Sequence, residues 1–276
     1  MDRQSAKNAL AKHHSAQVYK PEDYYTNVVN ADGKYLKTYI PYIGEDYFNT
    51  KPRVLIYAMA QNLARAPGLI RAWHNKPKEG MFRQYYHSEK LQISIHPYDT
   101  GHLKIIAALV LSVYPGTNYS PNDNVHNKIA VTNFVKFSFY REGKNGKRLD
   151  ANPPSGIYDV MWENYCKYEI ELLKPDVVVG VGNDVAYAIR RNYDSEVKML
   201  KIAFPGRLNL NSRYIPEGKQ LIESGYNHMV DIARIQELVQ GTPDKDKKIA
   251  KAIKTDWYYF REMEVYFKEV LSKPLN

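Results

Sequence analysis

The sequence predicts an α/β fold, specifically a three-layer α/β/α arrangement around a central, mainly parallel four-stranded sheet. Three observations point there. Short continuous apolar runs, the mark of strands buried on both faces, recur at Val54–Met59, Ile129–Thr132, Asp176–Val181 and Met199–Ala203. Segments with helical apolar spacing lie between them, and strand–helix alternation favours parallel pairing. The chain, at 276 residues with 44% hydrophobic and 25% charged, is long and apolar enough to bury a full core.

Each element has its own justification. Residues 1–50 read as an extension wrapping the domain: a polar leader to Lys20, then irregular, Tyr-rich segments around Tyr35–Ile43. The leader has no apolar stretch of the kind a secretory signal needs. Val54–Met59 opens the α/β domain, assigned to residues 51–240. A loop with Ala66-Pro67-Gly68 and a polar region follow, then the alternating Leu91, Ile93 and Ile95. Asp99 or Thr100 can cap a helix carrying Leu103, Ile105, Ile106, Leu109, Val110 and Val113, which Pro115-Gly116 ends. The second strand closes at Asn133. Arg141–Arg148 reads as a flexible basic loop around Lys144-Asn145-Gly146-Lys147. Ile157–Leu173 is an amphipathic helix stopped at Lys174-Pro175. The third strand is followed by a helix over Asp184–Asn192. The fourth runs into the loop from Phe204 to Asn211, and within 241–276 a helix over Lys245–Leu271 packs on the domain.

Charge and composition narrow the function classes. The net charge is +9, and Lys51–Asp150 holds 15 Lys/Arg against 6 Asp/Glu, so that stretch carries the whole surplus. A concentrated positive region favours a phosphate backbone or an acidic partner. The 24 tyrosines add aromatic faces of the kind that stack on bases, although most are expected to be packing residues. Cys166 is the single cysteine, which excludes an internal disulfide, a multi-cysteine zinc site and an iron–sulfur cluster. No run approaches the roughly 18 apolar residues of a membrane span. The expectation is a cytoplasmic protein without membrane contact, cofactor or metal, a monomer in preference to an oligomer, with DNA as its partner.

Ligands of such sheets sit at the carboxyl ends of the strands. Here those ends read Ala60-Gln61-Asn62, Asn133 with Lys136 three residues on, Gly180-Val181-Gly182-Asn183-Asp184, and Phe204-Pro205-Gly206-Arg207-Leu208-Asn209. They are rich in side-chain amides and poor in metal ligands. An amide presents donor and acceptor together, which suits the hydrogen-bonding edge of a base. The Gly180-x-Gly182 turn lacks the third glycine of a dinucleotide fingerprint, because Val185 occupies its position.

The order of these pieces resembles the uracil-DNA glycosylase superfamily. The likeness runs from about Arg53 to Tyr214, some three-fifths of the chain. It rests on Ala130-Val131-Thr132-Asn133-Phe134-Val135-Lys136, on the helix-to-strand segment from Glu171 to Gly182, and on the Pro-containing loop after the fourth strand. The resemblance implies that Asn133 hydrogen-bonds a flipped base, with Phe134, Met59 and Ala60 around it. It makes Pro205, Gly206, Arg207, Leu208 and Asn209 part of a loop that enters the DNA minor groove, with Leu208 as the wedge. Lys136, Arg141, Lys144, Lys147 and Arg148 complete the expected DNA contacts.

Two positions depart from the family pattern. Ala60 stands where the family carries a catalytic acid or amide, and Phe204 where it carries a histidine. Cleavage of an N-glycosidic bond needs a positioned water and stabilisation of an anionic leaving base. The residues able to supply these are Asn62 or Gln61 for the water, Asp99 for a carboxylate, and His96 for the leaving base, with His102 as another candidate. Asn62 and small alanines stand where the classical uracil enzymes use an aromatic block, so the pocket is expected to admit a 5-substituted pyrimidine, in repair or in defence against phage DNA. The alternative is a glycosylase-like protein that binds nucleic acid without cleaving it.

Overall fold

The computed structural model describes residues 1–28, 40–60, 101–120, 123–137, 139–144, 148–193, 198–202, 264 and 267–272. Among them the chain forms a mixed α/β structure built on a five-stranded sheet. The strands are β1 (Tyr42–Ile43), β2 (Val54–Ala60), β3 (Ile129–Val135), β6 (Val177–Val181) and β7 (Lys198–Ile202). Their order is β1-β3-β2-β6-β7. Two further strands, β4 (Phe139–Glu142) and β5 (Arg148–Ala151), form a separate antiparallel hairpin.

The four strands read as apolar runs are mutually parallel: β2 pairs with β3 and β6, and β6 with β7. The fifth, β1, adds antiparallel to the outer edge of β3, with Tyr42 opposite Val131 and Ile43 opposite Ala130. A two-residue strand leaves no periodicity to read, so Tyr42–Ile43 passes for irregular chain in the sequence. The sheet is therefore mixed, with five strands among the described residues.

Alternate residues of the strands supply two different hydrophobic clusters, as a pleated backbone requires. Val54, Ile56, Ile129, Val131, Val177 and Val179 join Ile106, Leu109 and Val110 of α2 (Gly101–Val113), with Phe267 and Leu271 from the C-terminal segment. Leu55, Tyr57, Ala130, Phe134 and Val178 join the second cluster. Its helical partners are α1 (Arg3–Ala16), α4 (Ile157–Met161), α5 (Lys167–Leu173) and α6 (Asn183–Asn192), while the one-turn α3 (Val125–Lys128) leads into β3. Burial on both faces is why these strands have continuous apolar sequences.

Three further expectations are corrected. The polar leader contains a 14-residue helix, α1, whose first turn is capped by Asp2 accepting from the Ser5 amide at 2.9 Å. Only Ala6, Leu10 and His14 of α1 are buried, too thin a stripe to stand out from sequence. The basic segment Arg141–Arg148 is not simply a loop, because Arg141 and Arg148 lie in β4 and β5 and pair opposite Leu149 and Glu142. The amphipathic helix ending at Leu173 is interrupted by a π-helical turn, Trp162–Cys166, between α4 and α5. It ends as expected before Pro175, with Lys174 in the left-handed region at φ 46°.

At the carboxyl end of β6 the two glycines have separate jobs. A Cβ on Gly180 would stand 2.9 Å from Ala186 Cα, so this glycine lets α6 lie directly on its own strand. Gly182 turns the chain from strand to helix with φ +103°, which a side chain rarely tolerates. The start of the same strand is held by Asp176, whose carboxylate accepts from the Arg53 amide at 2.7 Å. Replacing Gly180 with Ala forces α6 off β6, and the expected cost is roughly 1–3 kcal/mol in denaturant unfolding, with the slope unchanged. An unfolding midpoint equal to that of the wild type would show that this close approach is not needed.

Candidate functional site

In the parallel part of the sheet the strand leading to each neighbour reverses direction of travel between β2 and β6. Chain order runs outward from β2 to β3 on one side and from β6 to β7 on the other. The carboxyl ends of β2 and β6 thus flank the topological switch point, where open α/β sheets take their ligands. Met59 and Ala60 at the end of β2 are half-buried there, and a Cβ on Gly182 would lie 3.6 Å from Met59 Cε.

Asn133 sits on β3, opposite Ala58 of β2, and is 3% exposed. Its neighbours Thr132 and Phe134 belong to the face of the second cluster, so alternation directs Asn133 to the opposite face, beside the small Ala58. Phe134 is consequently not a pocket neighbour of the Asn133 side chain. It is fully buried, edge-on to Tyr57 at 5.6 Å between ring centroids and tilted against Tyr158 at 5.7 Å.

Beneath the Asn133 peptide lies a buried polar cluster that no single stretch of sequence discloses. Lys136 leaves the end of β3 and folds back into the protein. Its Nζ donates to Asn133 O at 2.7 Å, to Thr132 Oγ1 at 3.0 Å and to Oε2 of Glu169 on α5 at 2.9 Å, and lies 2.6 Å from the other carboxylate oxygen. Both side chains of the ion pair are 0% exposed. The expectation that Lys136 contacts DNA phosphate is therefore corrected: its ammonium is sealed inside and already has a counter-charge. β1 accompanies β3 only at Ala130 and Val131, so among the described residues no strand runs beside that edge further on. The ammonium supplies the Asn133 carbonyl with a donor.

Glu169 collects the remaining partners. Tyr57 of β2 donates its hydroxyl to Oε2 at 2.9 Å and also lies 3.2 Å from the Cys166 carbonyl at the end of the π turn. His14 of α1 places Nε2 3.1 Å from Oε1. Burial alone pushes the Glu169 carboxyl up, but the Lys136 charge and the bonds from His14 and Lys136 outweigh it and hold the group below its ordinary value. For His14 burial dominates and lowers its value, although Glu169 pulls the other way. Lys136 already neutralises the carboxylate, so a second buried cation would be in excess; a neutral His14 donating to Glu169 fits both. Next to it, His13 stacks on Tyr168 with centroids 3.9 Å apart and reaches Asn164 O at 2.9 Å. Cys166 is buried, donates to Phe134 O at 3.4 Å, and burial raises its thiol well above the ordinary range.

The remaining candidates divide plainly. Arg141 and Lys144 are exposed on the hairpin, and Arg148 is on β5. His102 lies in the first turn of α2. Gln61, Asn62, His96, Asp99, Lys147, Pro205, Gly206, Arg207, Leu208 and Asn209 lie outside the described residues. Among the described residues no group of His, Cys, Asp or Glu is arranged to hold a metal ion, and no helix is long and apolar enough to cross a membrane. No family model matches the chain, and no curated protein matches it.

Two measurements test the cluster. Glu169→Gln strands the Lys136 ammonium, and denaturant unfolding is expected to lose about 3–5 kcal/mol. The double variant Lys136→Met, Glu169→Leu should recover most of that loss; equal loss in both would mean that packing, not charge pairing, matters here. The acid side follows from the lowered values of both His14 and Glu169. The unfolded chain takes up protons first, so stability present at pH 7 falls as pH drops below about 6.5, the ordinary histidine value, and falls further as Glu169 protonates. His14→Gln should flatten the first part of that fall in thermal unfolding between pH 7 and 5, and an unchanged profile would exclude His14 as its source.

Proposed function

We propose that this chain is a DNA glycosylase of the uracil-DNA glycosylase type, with a three-layer α/β/α domain, acting on a 5-substituted pyrimidine. The observation that carries the reading is Asn133: a carboxamide 3% exposed, on a parallel strand beside the switch point, with its backbone held by a buried ion pair. A carboxamide is costly to bury unless its hydrogen bonds are made. One held at a fixed position can read the edge of an extruded base. In this reading the small Ala58 beside it and Ala60 at the end of β2 would admit a substituent.

In this reading the nucleotide turns out of the helix stack and its base enters the crevice at the carboxyl ends of β2 and β6. Asn133 hydrogen-bonds the base. A water oriented by Asn62 or Gln61 adds its oxygen to C1′ and gives up a proton. The electron pair of the N-glycosidic bond leaves with the base, which is then protonated. Asp99 would stabilise the positive sugar and His96 the departing base, while Arg207, Leu208 and Asn209 would hold the strand open. The concentrated positive charge of Lys51–Asp150 suits the phosphate backbone. The second reading, a binder without chemistry, draws on one specific feature: β2 ends on Ala60, which offers no group to a water.

Base release from duplex and single-stranded DNA carrying uracil or 5-modified cytosine, read as strand breaks after alkali, separates the two. Release of a modified base is expected, reduced on the order of 10²-fold in Asn133→Ala, with circular dichroism confirming that the variant folds. Asn133→Asp should change which base is preferred. Release of uracil alone removes the widened pocket, and salt-sensitive binding without any release establishes the non-catalytic reading.

A further inference from the structure

An aromatic stack stands on the surface beside the hairpin, and base recognition by Asn133 does not use it. Tyr24 is 71% exposed, one of few large apolar side chains so displayed among the described residues. Its ring lies on that of Tyr19, with centroids 5.5 Å apart and planes 12° from parallel. The stack has a rigid base. Tyr19 rests against Phe137 at 6.2 Å, and Tyr25 packs edge-on to Phe139 at 5.6 Å. Tyr140 N–H donates to Asn27 O at 2.9 Å, Asn27 Nδ2 donates to Tyr140 O at 3.1 Å, and the Tyr140 hydroxyl donates to Thr26 O at 3.2 Å. Val28 bridges Phe139 antiparallel. Tyr24 and Tyr19 are thereby fastened to β4, which follows directly from the carboxyl end of β3, the end at which Asn133 stands.

The surrounding segments carry charges of both signs. Lys20, Arg141 and Lys144 are exposed, and Asp23 and Glu142 are the exposed acids among them. Lys147 follows in the sequence, and Arg148 begins β5.

We infer that the Tyr19–Tyr24 stack is a platform for an unpaired base, and that the substrate strand is single-stranded DNA running along the β4–β5 hairpin. A base in a duplex has both faces covered by its neighbours and none to offer Tyr24; an unpaired base has one, and stacking on an exposed aromatic ring rewards it whatever its identity. Arg141 and Lys144 meet the phosphates on either side. The inference rests on the proposed function for the choice of DNA as the nucleic acid, and it narrows that function to a single-stranded substrate.

Fluorescence anisotropy with a labelled single-stranded oligonucleotide and its duplex, using the full chain, tests the platform. Tyr24→Ala is expected to weaken single-strand binding roughly tenfold, to leave duplex binding unchanged, and to be rescued by Tyr24→Phe, which keeps the ring. Arg141→Ala with Lys144→Ala should lower the affinity and the salt dependence together. Single-strand binding unchanged in Tyr24→Ala, or equal loss on both DNAs, overturns the platform. If base release from the wild type persists in that case, the glycosylase reading stands alone. Loss of single-strand binding in Tyr24→Ala, in a wild type that releases no base, supports the platform and removes the glycosylase. A wild type that binds neither DNA overturns both.

Discussion

A carboxylate shut away from water has to find its compensation inside the protein, and Glu169 finds it on three separate parts of the chain. Lys136 comes from the end of β3, Tyr57 from β2 and His14 from the N-terminal helix. Transferring two unit charges out of water costs several kcal/mol each, so such a pair persists only where geometry is good and the remaining donors and acceptors are met. Here the ammonium has the Thr132 hydroxyl and the Asn133 carbonyl as well as the carboxylate. The cluster joins the middle of the sheet to α5 and seats α1 against them. It ties α1 to the core.

That cluster also organises the candidate site. It works on one face of the sheet, while the Asn133 side chain is directed to the other. The backbone between them is held from below by the Lys136 ammonium. The same division separates Phe134 from Asn133, although the two are adjacent in sequence. A pleated strand sends consecutive side chains to opposite faces, so a motif read as one block is split between core and site. The glycines at the carboxyl end of β6 serve the same end of the molecule: Gly180 admits α6 close to the sheet and Gly182 turns the chain toward it. The exposed tyrosine stack, on the N-terminal segment, is fastened to β4, the strand that follows that end of β3. The proposed site thus lies at the carboxyl rim, where open parallel sheets take their ligands.

Elements missed from sequence share a physical cause. In α1, burial touches only Ala6, Leu10 and His14, and the rest of the helix is polar, so no strong stripe marks it. β1 is two residues long, and β4 carries Arg141 and Glu142 outward, so charge masked its pairing. A lysine after a strand normally reaches solvent, so the sequence alone directs Lys136 outward. Its partner Glu169 is 33 residues away along the chain, on a helix whose own pattern does not distinguish Glu169 from the neighbouring Glu171. The π turn before that helix left no mark in the apolar spacing either.

What the sequence determined by itself was the set of parallel strands, the helices beside them and the end of the sheet where amides and glycines gather. Those follow from burial on two faces and from local conformational limits, which neighbouring residues express directly. Tertiary structure alone decided strand order, the antiparallel edge, the inward turn of Lys136 and the docking of α1 through His14. Each of these depends on which distant groups come into contact. A charge is driven inward or outward by the partner it meets, and the chain lists its residues without saying which will meet.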